Sequence, residues 1–234
     1  MEKRQSASPW WMDNGTGTYR FPPASGLGHL YLAQGDLEAA IQVLAESLAL
    51  CRASGQRVSL GSIAGGLGEA YAHTGRLDEG LALLEEARQD DLLAGALGGG
   101  NIRNLRQLSL VYLLAGRIDE AGQHACQALV LARELKARGH EAQALFQLGD
   151  VHANASPPEV QQAEAHYRQA LALTDELGMR PLMAHCHLGL GTLYSKIGWR
   201  QQAHTEFSTA IQLYRSMDMT FWLPQAEAAL AQMA

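Results

Sequence analysis

One block recurs five times in this chain of 234 residues. It opens on Leu followed by a small residue, places a Tyr three residues later, and then runs through a turn into an Ala-rich segment. The copies are "LGHLYLAQGDLEAAIQVLAESL" from Leu27, "LGEAYAHTGRLDEGLALLEEA" from Leu67, "LSLVYLLAGRIDEAGQHACQA" from Leu108, "LGDVHANASPPEVQQAEAHYRQA" from Leu148 and "LGTLYSKIGWRQQAHTEFSTA" from Leu190. Successive starts are 40 to 42 residues apart. A unit repeated at so regular a step stacks on its neighbours instead of wrapping a single closed core.

Each copy reads as two helices. In the first, Gly28, Gly68, Ser109, Gly149 and Gly191 share one position, and Tyr31, Tyr71, Tyr112, His152 and Tyr194 lie three residues on, on the same face. Gly35, Gly75, Gly116 and Gly198 follow as turn residues, where a helix ends at positive φ. In the second helix, Ala40, Gly80, Ala121, Ala163 and Ala203 form one half of a stripe, and Ser47, Ala87, Ala128, Ala170 and Ala210, seven residues on, form the other. Small residues at both places let the two helices approach closely. The fourth copy carries a longer turn, "NASPPEV", in which Ser156 is expected to cap the next helix and Pro157 to occupy its first turn. Pro22 and Pro23 should stop the first helix from extending upstream.

Composition agrees with a helical array. Hydrophobic residues make up 47% of the chain and aromatics 6%, and the abundant Ala, Leu, Glu, Gln and Arg favour helix. A net charge of -6 argues against nucleic acid. No apolar run is long enough to span a membrane, and "MEKRQSASPWWMDNGTG" is not a signal peptide; a cytoplasmic location is expected. Cys51, Cys126 and Cys186 are far apart and read as buried thiols.

The Leu-Gly, Tyr and Ala positions resemble tetratricopeptide repeats, whose pattern is W-x2-L-G-x2-Y followed by Ala, Phe and Ala. The Trp position departs from it, holding Ala24, Ala64, Leu105, Leu145 and His187. The longer unit resembles the repeat arms of large bacterial signalling ATPases and maltose-regulator-type transcription factors. From about Gly26 onward, "HCHLGLG" and "FWLPQAEA" resemble the C-terminal arm of bacterial class III adenylate/guanylate cyclase–signalling ATPase fusions. These resemblances imply an all-α, right-handed superhelix of about five helix pairs plus a C-terminal capping helix. The array would span about residues 21–234, with repeats near 21–55, 56–96, 97–137, 138–178 and 179–218 and the cap at 220–234, after a disordered or non-native tail at 1–20.

The stretch His185-Cys186-His187 invites a metal reading. Successive helical residues point about 100° apart, so the three side chains cannot converge on one ion. His187 is expected to be a satisfied core histidine and His185 a groove residue. "GSIAGGLG" and "GALGGGN" lack the Lys-Ser/Thr of a phosphate loop, and Gly98–Gly100 should mark a break between repeats. Glu85-Glu86 and Asp90-Asp91 read as solvated pairs. No metal, cofactor or catalytic constellation is expected.

A solenoid of this kind exposes a concave face lined by its first helices. The groove positions are Glu69, His73, Arg103, Arg106, Leu110, Gln143, Phe146, Asp150, Asn154, His185, Thr192 and Lys196. Their mixture suits a protein or peptide segment and does not match the Lys/Asn carboxylate clamp of chaperone-binding family members. The function expected is a non-enzymatic interaction scaffold, the sensor or regulatory arm of a bacterial signal-transduction ATPase or cyclase. Alternatives are a free-standing adaptor and a small-molecule-sensing superhelix. The shortened first repeat exposes apolar surface through which self-association can occur.

Overall fold

The computed structural model describes residues 23–54, 60–93 and 99–233. The expected tail at 1–20 lies outside them. The described residues form eleven α-helices, in chain order α1 (Pro23–Gln34), α2 (Leu37–Ser54), α3 (Leu60–His73), α4 (Leu77–Leu93), α5 (Gly99–Leu114), α6 (Ile118–Glu134), α7 (Arg138–Asn154), α8 (Val160–Leu177), α9 (Arg180–Lys196), α10 (Arg200–Ser216) and α11 (Trp222–Ala231). Odd-numbered helices are the first of each pair, and each packs on its own partner and on the pair that follows. The result is an all-α superhelix of tetratricopeptide type, with five pairs and a terminal helix.

One contact is built repeatedly inside the pairs. A Cβ on Gly28 would run into Leu44, on Gly68 into Leu84, on Gly149 into Tyr167 and on Gly191 into Phe207. The second helix thus inserts a large side chain into the gap left by a missing one. In the third pair the gap is narrower on both sides, with Ser109 facing a helix that carries Ala125 in the equivalent place, and both are fully buried. Ala40, Ala121, Ala163 and Ala203 are completely enclosed, as are Ala87, Ala128, Ala170 and Ala210. Gly80 lies so close to the carbonyl of Gly68 that a side chain there would strike backbone.

The turns are also built on one plan. Gly35, Gly75, Gly116 and Gly198 have φ between 73° and 82°. The next residue returns a backbone N–H to the carbonyl of the repeated Tyr: Asp36 to Tyr31 at 2.9 Å, Arg76 to Tyr71 at 2.8 Å, Arg117 to Tyr112 at 2.9 Å and Trp199 to Tyr194 at 2.9 Å. This is the 6→1 bond of a glycine-terminated helix. The residue after Gly then covers the ring: Arg76 lies 3.8 Å above Tyr71, Arg117 lies 4.5 Å above Tyr112, and Trp199 stacks on Tyr194 at 5.6 Å. In the fourth pair the turn is two residues longer, yet the N–H of Glu159 still reaches the carbonyl of His152 at 3.0 Å. His152 Nδ1 donates to the Glu159 carboxylate at 2.6 Å.

Three expectations are corrected. Ser156 does not cap α8, whose cap position is Glu159 with no side-chain cap bond; the extra residues place Ser156 three positions too early. Gly99 and Gly100 begin α5 instead of separating repeats, and Gly98 lies outside the described residues. Cys51 and Cys186 are buried, but Cys126 is exposed, because it follows Ala125 and points away from the α5–α6 contact.

The capping helix is the first half of a sixth unit. Met219 stands forty residues after Met179, and each follows a left-handed residue, Asp218 at φ 53° and Gly178 at φ 66°. Ala226 is fully buried among Ala184, Ala210, Ile211 and Tyr214, with Trp222, Leu223 and Leu230 packed beside it. Overfilling an enclosed alanine should destabilise the array: Ala203→Leu is expected to lose about 1–3 kcal/mol, read by denaturant unfolding. Trp222→Ala should lose about 3 kcal/mol; a melt that overlays the parent chain would show that α11 contributes nothing to the fold.

Candidate functional site

The first helices α1, α3, α5, α7 and α9 lie side by side along the concave face, so residues forty positions apart become neighbours. At the N-terminal side, Ser62 stands between His29 and Arg103. The Arg103 guanidinium donates to the Ser62 hydroxyl at 2.6 Å, and His29 Nε2 lies 3.3 Å from the same oxygen. One turn further along, the Gln107 amide donates to the Glu69 carboxylate at 3.1 Å. Arg106 lies on the same stretch of α5, and its Nε is buried without a hydrogen-bond partner. His140 donates from Nδ1 to Gln143 at 3.2 Å. Burial, with Arg103 and Arg106 nearby, lowers the pKa of His140, and burial with Arg103 lowers that of His29. Both imidazoles are therefore pushed towards the neutral form. Leu110 is half-buried on α5.

The C-terminal side is aromatic. The Phe146 ring lies 6.0 Å from Tyr167 and 6.2 Å from His185. His185 lies 4.7 Å from Trp222, edge to face, and accepts a hydrogen bond at Nδ1 from the Tyr214 hydroxyl at 2.7 Å. It is half-buried where α9 meets α11, and burial, with His73 nearby, lowers its pKa to about 4. His73 itself lies 6.0 Å from Trp222. A side chain on Gly35 would overlap Phe221. The start of α11 therefore reaches across to the second pair through Trp222 and to the first through Phe221. His187 is satisfied, as expected, by a hydrogen bond at the α9–α10 contact, from Nδ1 to the Glu206 carboxylate at 2.6 Å.

A third group sits on the C-terminal half of α7. The Tyr167 hydroxyl donates to Asp150 at 2.6 Å. Burial raises the Asp150 pKa to about 7, against the opposing effects of that bond and of Lys196. Asn154 Nδ2 donates to the Asp150 carbonyl at 2.8 Å, and Lys196 Nζ donates to Asn154 at 3.0 Å and to the Ala153 carbonyl at 3.2 Å. Thr192 is exposed and spends its hydroxyl on Leu188 of its own helix at 2.9 Å.

The candidate residues thus fall into a basic and polar group (Glu69, Arg103, Arg106, Gln143), an aromatic group (Phe146, His185, His73) and a capped carboxylate group (Asp150, Asn154, Lys196). His29, Ser62, Gln107, His140, Tyr167 and Tyr214 belong to them too. Ser62 and His29 could have been found by stepping back one unit from Arg103 and Glu69; Tyr167 and Tyr214, on second helices, carried no such signal. Of the carboxylates expected to be solvated, Glu85 accepts from the Tyr112 hydroxyl at 3.1 Å and Glu86 from Arg52 at 2.8 Å.

Asp150 and His185 make opposed contributions to stability against pH. A carboxyl whose folded pKa is raised loses stabilisation as pH rises from its unfolded value, near 4, through about 7. A histidine whose folded pKa is lowered to about 4 gains it between about 4 and 6.5. Asp150→Asn removes the first effect alone. Its melting temperature relative to the parent chain should therefore rise steadily between about pH 4 and 7 and level off above; a constant difference would show that Asp150 titrates normally.

Residues 21–91 match a family model described as tetratricopeptide repeat. No curated protein matches the chain. Among solved structures it is similar to a Rap protein complexed with Competence and Sporulation Factor, at TM-score 0.77 and 15% identity over 90% of this chain and 61% of that one. It is similar to a Signal Transduction ATPase with Numerous Domains carrying a tetratricopeptide repeat sensor, from Pyrococcus horikoshii, at TM-score 0.64 and 15% identity over 90% of this chain and 32% of that one. It is also similar to BtubC (BKLC) from P. vanneervenii, at TM-score 0.61 and 21% identity over 83% and 80% of the two chains. The chain thus spans about a third of the ATPase and about three fifths of the Rap protein. At these identities the likeness is one of fold, a right-handed superhelix of tetratricopeptide type.

Proposed function

We propose that this chain is a non-enzymatic scaffold that holds a peptide or protein segment in its concave groove, and that it serves as the sensor or regulatory arm of a signal-transduction ATPase or cyclase. The observation that carries the reading is the convergence on one face of side chains from five consecutive first helices. Cations, amides, a phenyl ring and a carboxylate lie there within reach of one extended ligand. Main-chain amides and mixed side chains of a peptide find partners on such a surface, whereas a small ligand would use only one of its three groups.

The similar structures support the same reading. One was solved with Competence and Sporulation Factor, and another is an ATPase whose repeats are described as its sensor. Occupancy of the groove would be transmitted through the stacked pairs, because each first helix touches the next. The "HCHLGLG" and "FWLPQAEA" blocks favour a cyclase–ATPase fusion as the protein that such an arm would regulate.

The test is affinity capture from the source cell lysate with three baits: the parent chain, the double variant Arg103→Ala/Phe146→Ala, and Gln202→Ala on the exposed surface of α10. A partner retained by the parent and by Gln202→Ala should fall at least tenfold with the double variant. Equal recovery on all three baits would remove the groove from the interaction.

A further inference from the structure

The least compensated group on the concave face is the guanidinium of Arg106. Among the described residues it forms no ion pair, and its Nε is buried without an acceptor. Its neighbours do not neutralise it. Among the described residues Glu69 is the carboxylate that offsets its charge, and it already accepts from Gln107. Arg103 adds a second positive charge and is tied to a neutral hydroxyl on Ser62. A half-buried cation whose Nε is enclosed without an acceptor is unfavourable to the fold. Folding alone gives no reason for an arginine here, since an apolar residue of similar volume would fit the same helix face.

We infer that Arg106, with Arg103 beside it, is the anion-receiving point of the groove, and that it takes a carboxylate of the bound peptide. This rests on the groove reading above and specifies its ligand as an acidic peptide. Phe146 occupies the position of Arg106 one unit later, about 10 Å away at the spacing of packed helices. In an extended peptide, residues two or three apart span roughly 7–10 Å. The fitting segment therefore carries an Asp, a Glu or a terminal carboxylate two or three residues from an apolar side chain. The carboxylate forms the paired bonds that a guanidinium geometry favours, and the apolar side chain packs against Phe146 and His185.

Arg106→Leu tests this with two independent readouts. The first needs no ligand. If the guanidinium is unpaired in the free protein, the leucine variant should fold and melt no lower than the parent. A variant that melts below the parent would show that Arg106 already has its partner within the chain, and would overturn the inference. The second uses a randomised peptide library selected on the parent chain. The selected peptides should carry the acidic–apolar pair, weaken with added salt, and bind Arg106→Leu at least tenfold more weakly by titration calorimetry. Peptides that lack an acidic group, or that bind Arg106→Leu equally, but are lost on Phe146→Ala, would overturn the Arg106 assignment and leave the groove reading standing. A selection in which no peptide depends on Arg103 or Phe146 would overturn both.

Discussion

The close approach of the two helices in each pair is the contact on which the rest of the structure depends. Where the first helix has no side chain, at Gly28, Gly68, Gly149 and Gly191, the second helix fills the space with Leu44, Leu84, Tyr167 and Phe207. Dispersion and apolar burial at such a point are felt at the scale of a single methylene. The alanine stripe then lets the same second helix lie flat against its partner. Because the geometry is fixed inside each pair, the rotation from one pair to the next repeats, and the curvature that makes a concave face follows from it.

Curvature has a second consequence at the ends. The sixth unit begins at Met219, and its opening residues Phe221 and Trp222 meet Gly35 and His73 of the first two pairs. A contact between residues so distant in sequence is absent from a straight array, in which each unit touches only its neighbours. Trp222 also packs edge to face on His185, which Tyr214 holds from the other side by a hydrogen bond. The groove is therefore differentiated along its length: polar and cationic where α3 and α5 line it, aromatic where α9 and α11 meet.

The pairs, their turns and the enclosed alanines were legible in the sequence because they depend on contacts between residues fewer than about twenty positions apart, repeated at a fixed step. The turn glycines and the Tyr-to-turn bond belong to this class. Three features were not legible. The contact of Trp222 with both His185 and His73 requires the sum of several inter-pair rotations, which no local pattern encodes. The failure of Ser156 to cap α8 follows from a longer turn that spends its added residues before the helix begins. The enclosure of the Arg106 Nε reflects how closely α3 and α7 flank α5, while its spacing in the sequence marked it only as a groove residue.

Pair packing and groove chemistry are linked through the side chain that fills each gap. In the fourth pair it is a tyrosine, and because Gly149 leaves the first helix bare, the Tyr167 ring passes across to the concave side. Its hydroxyl meets Asp150 there, and its ring lies beside Phe146. In the fifth pair Phe207 makes the same crossing with no polar end, and in the first two pairs leucine stops short. The third pair has Ala125 opposite Ser109 and brings no large group through. Its groove surface is then furnished by the first helix alone, and α5 supplies two arginines. A peptide lying along the face would thus meet guanidinium groups where the gap is filled by alanine and a protonatable carboxyl where it is filled by tyrosine. The residue that completes the fold of each unit also decides what that unit can offer a ligand.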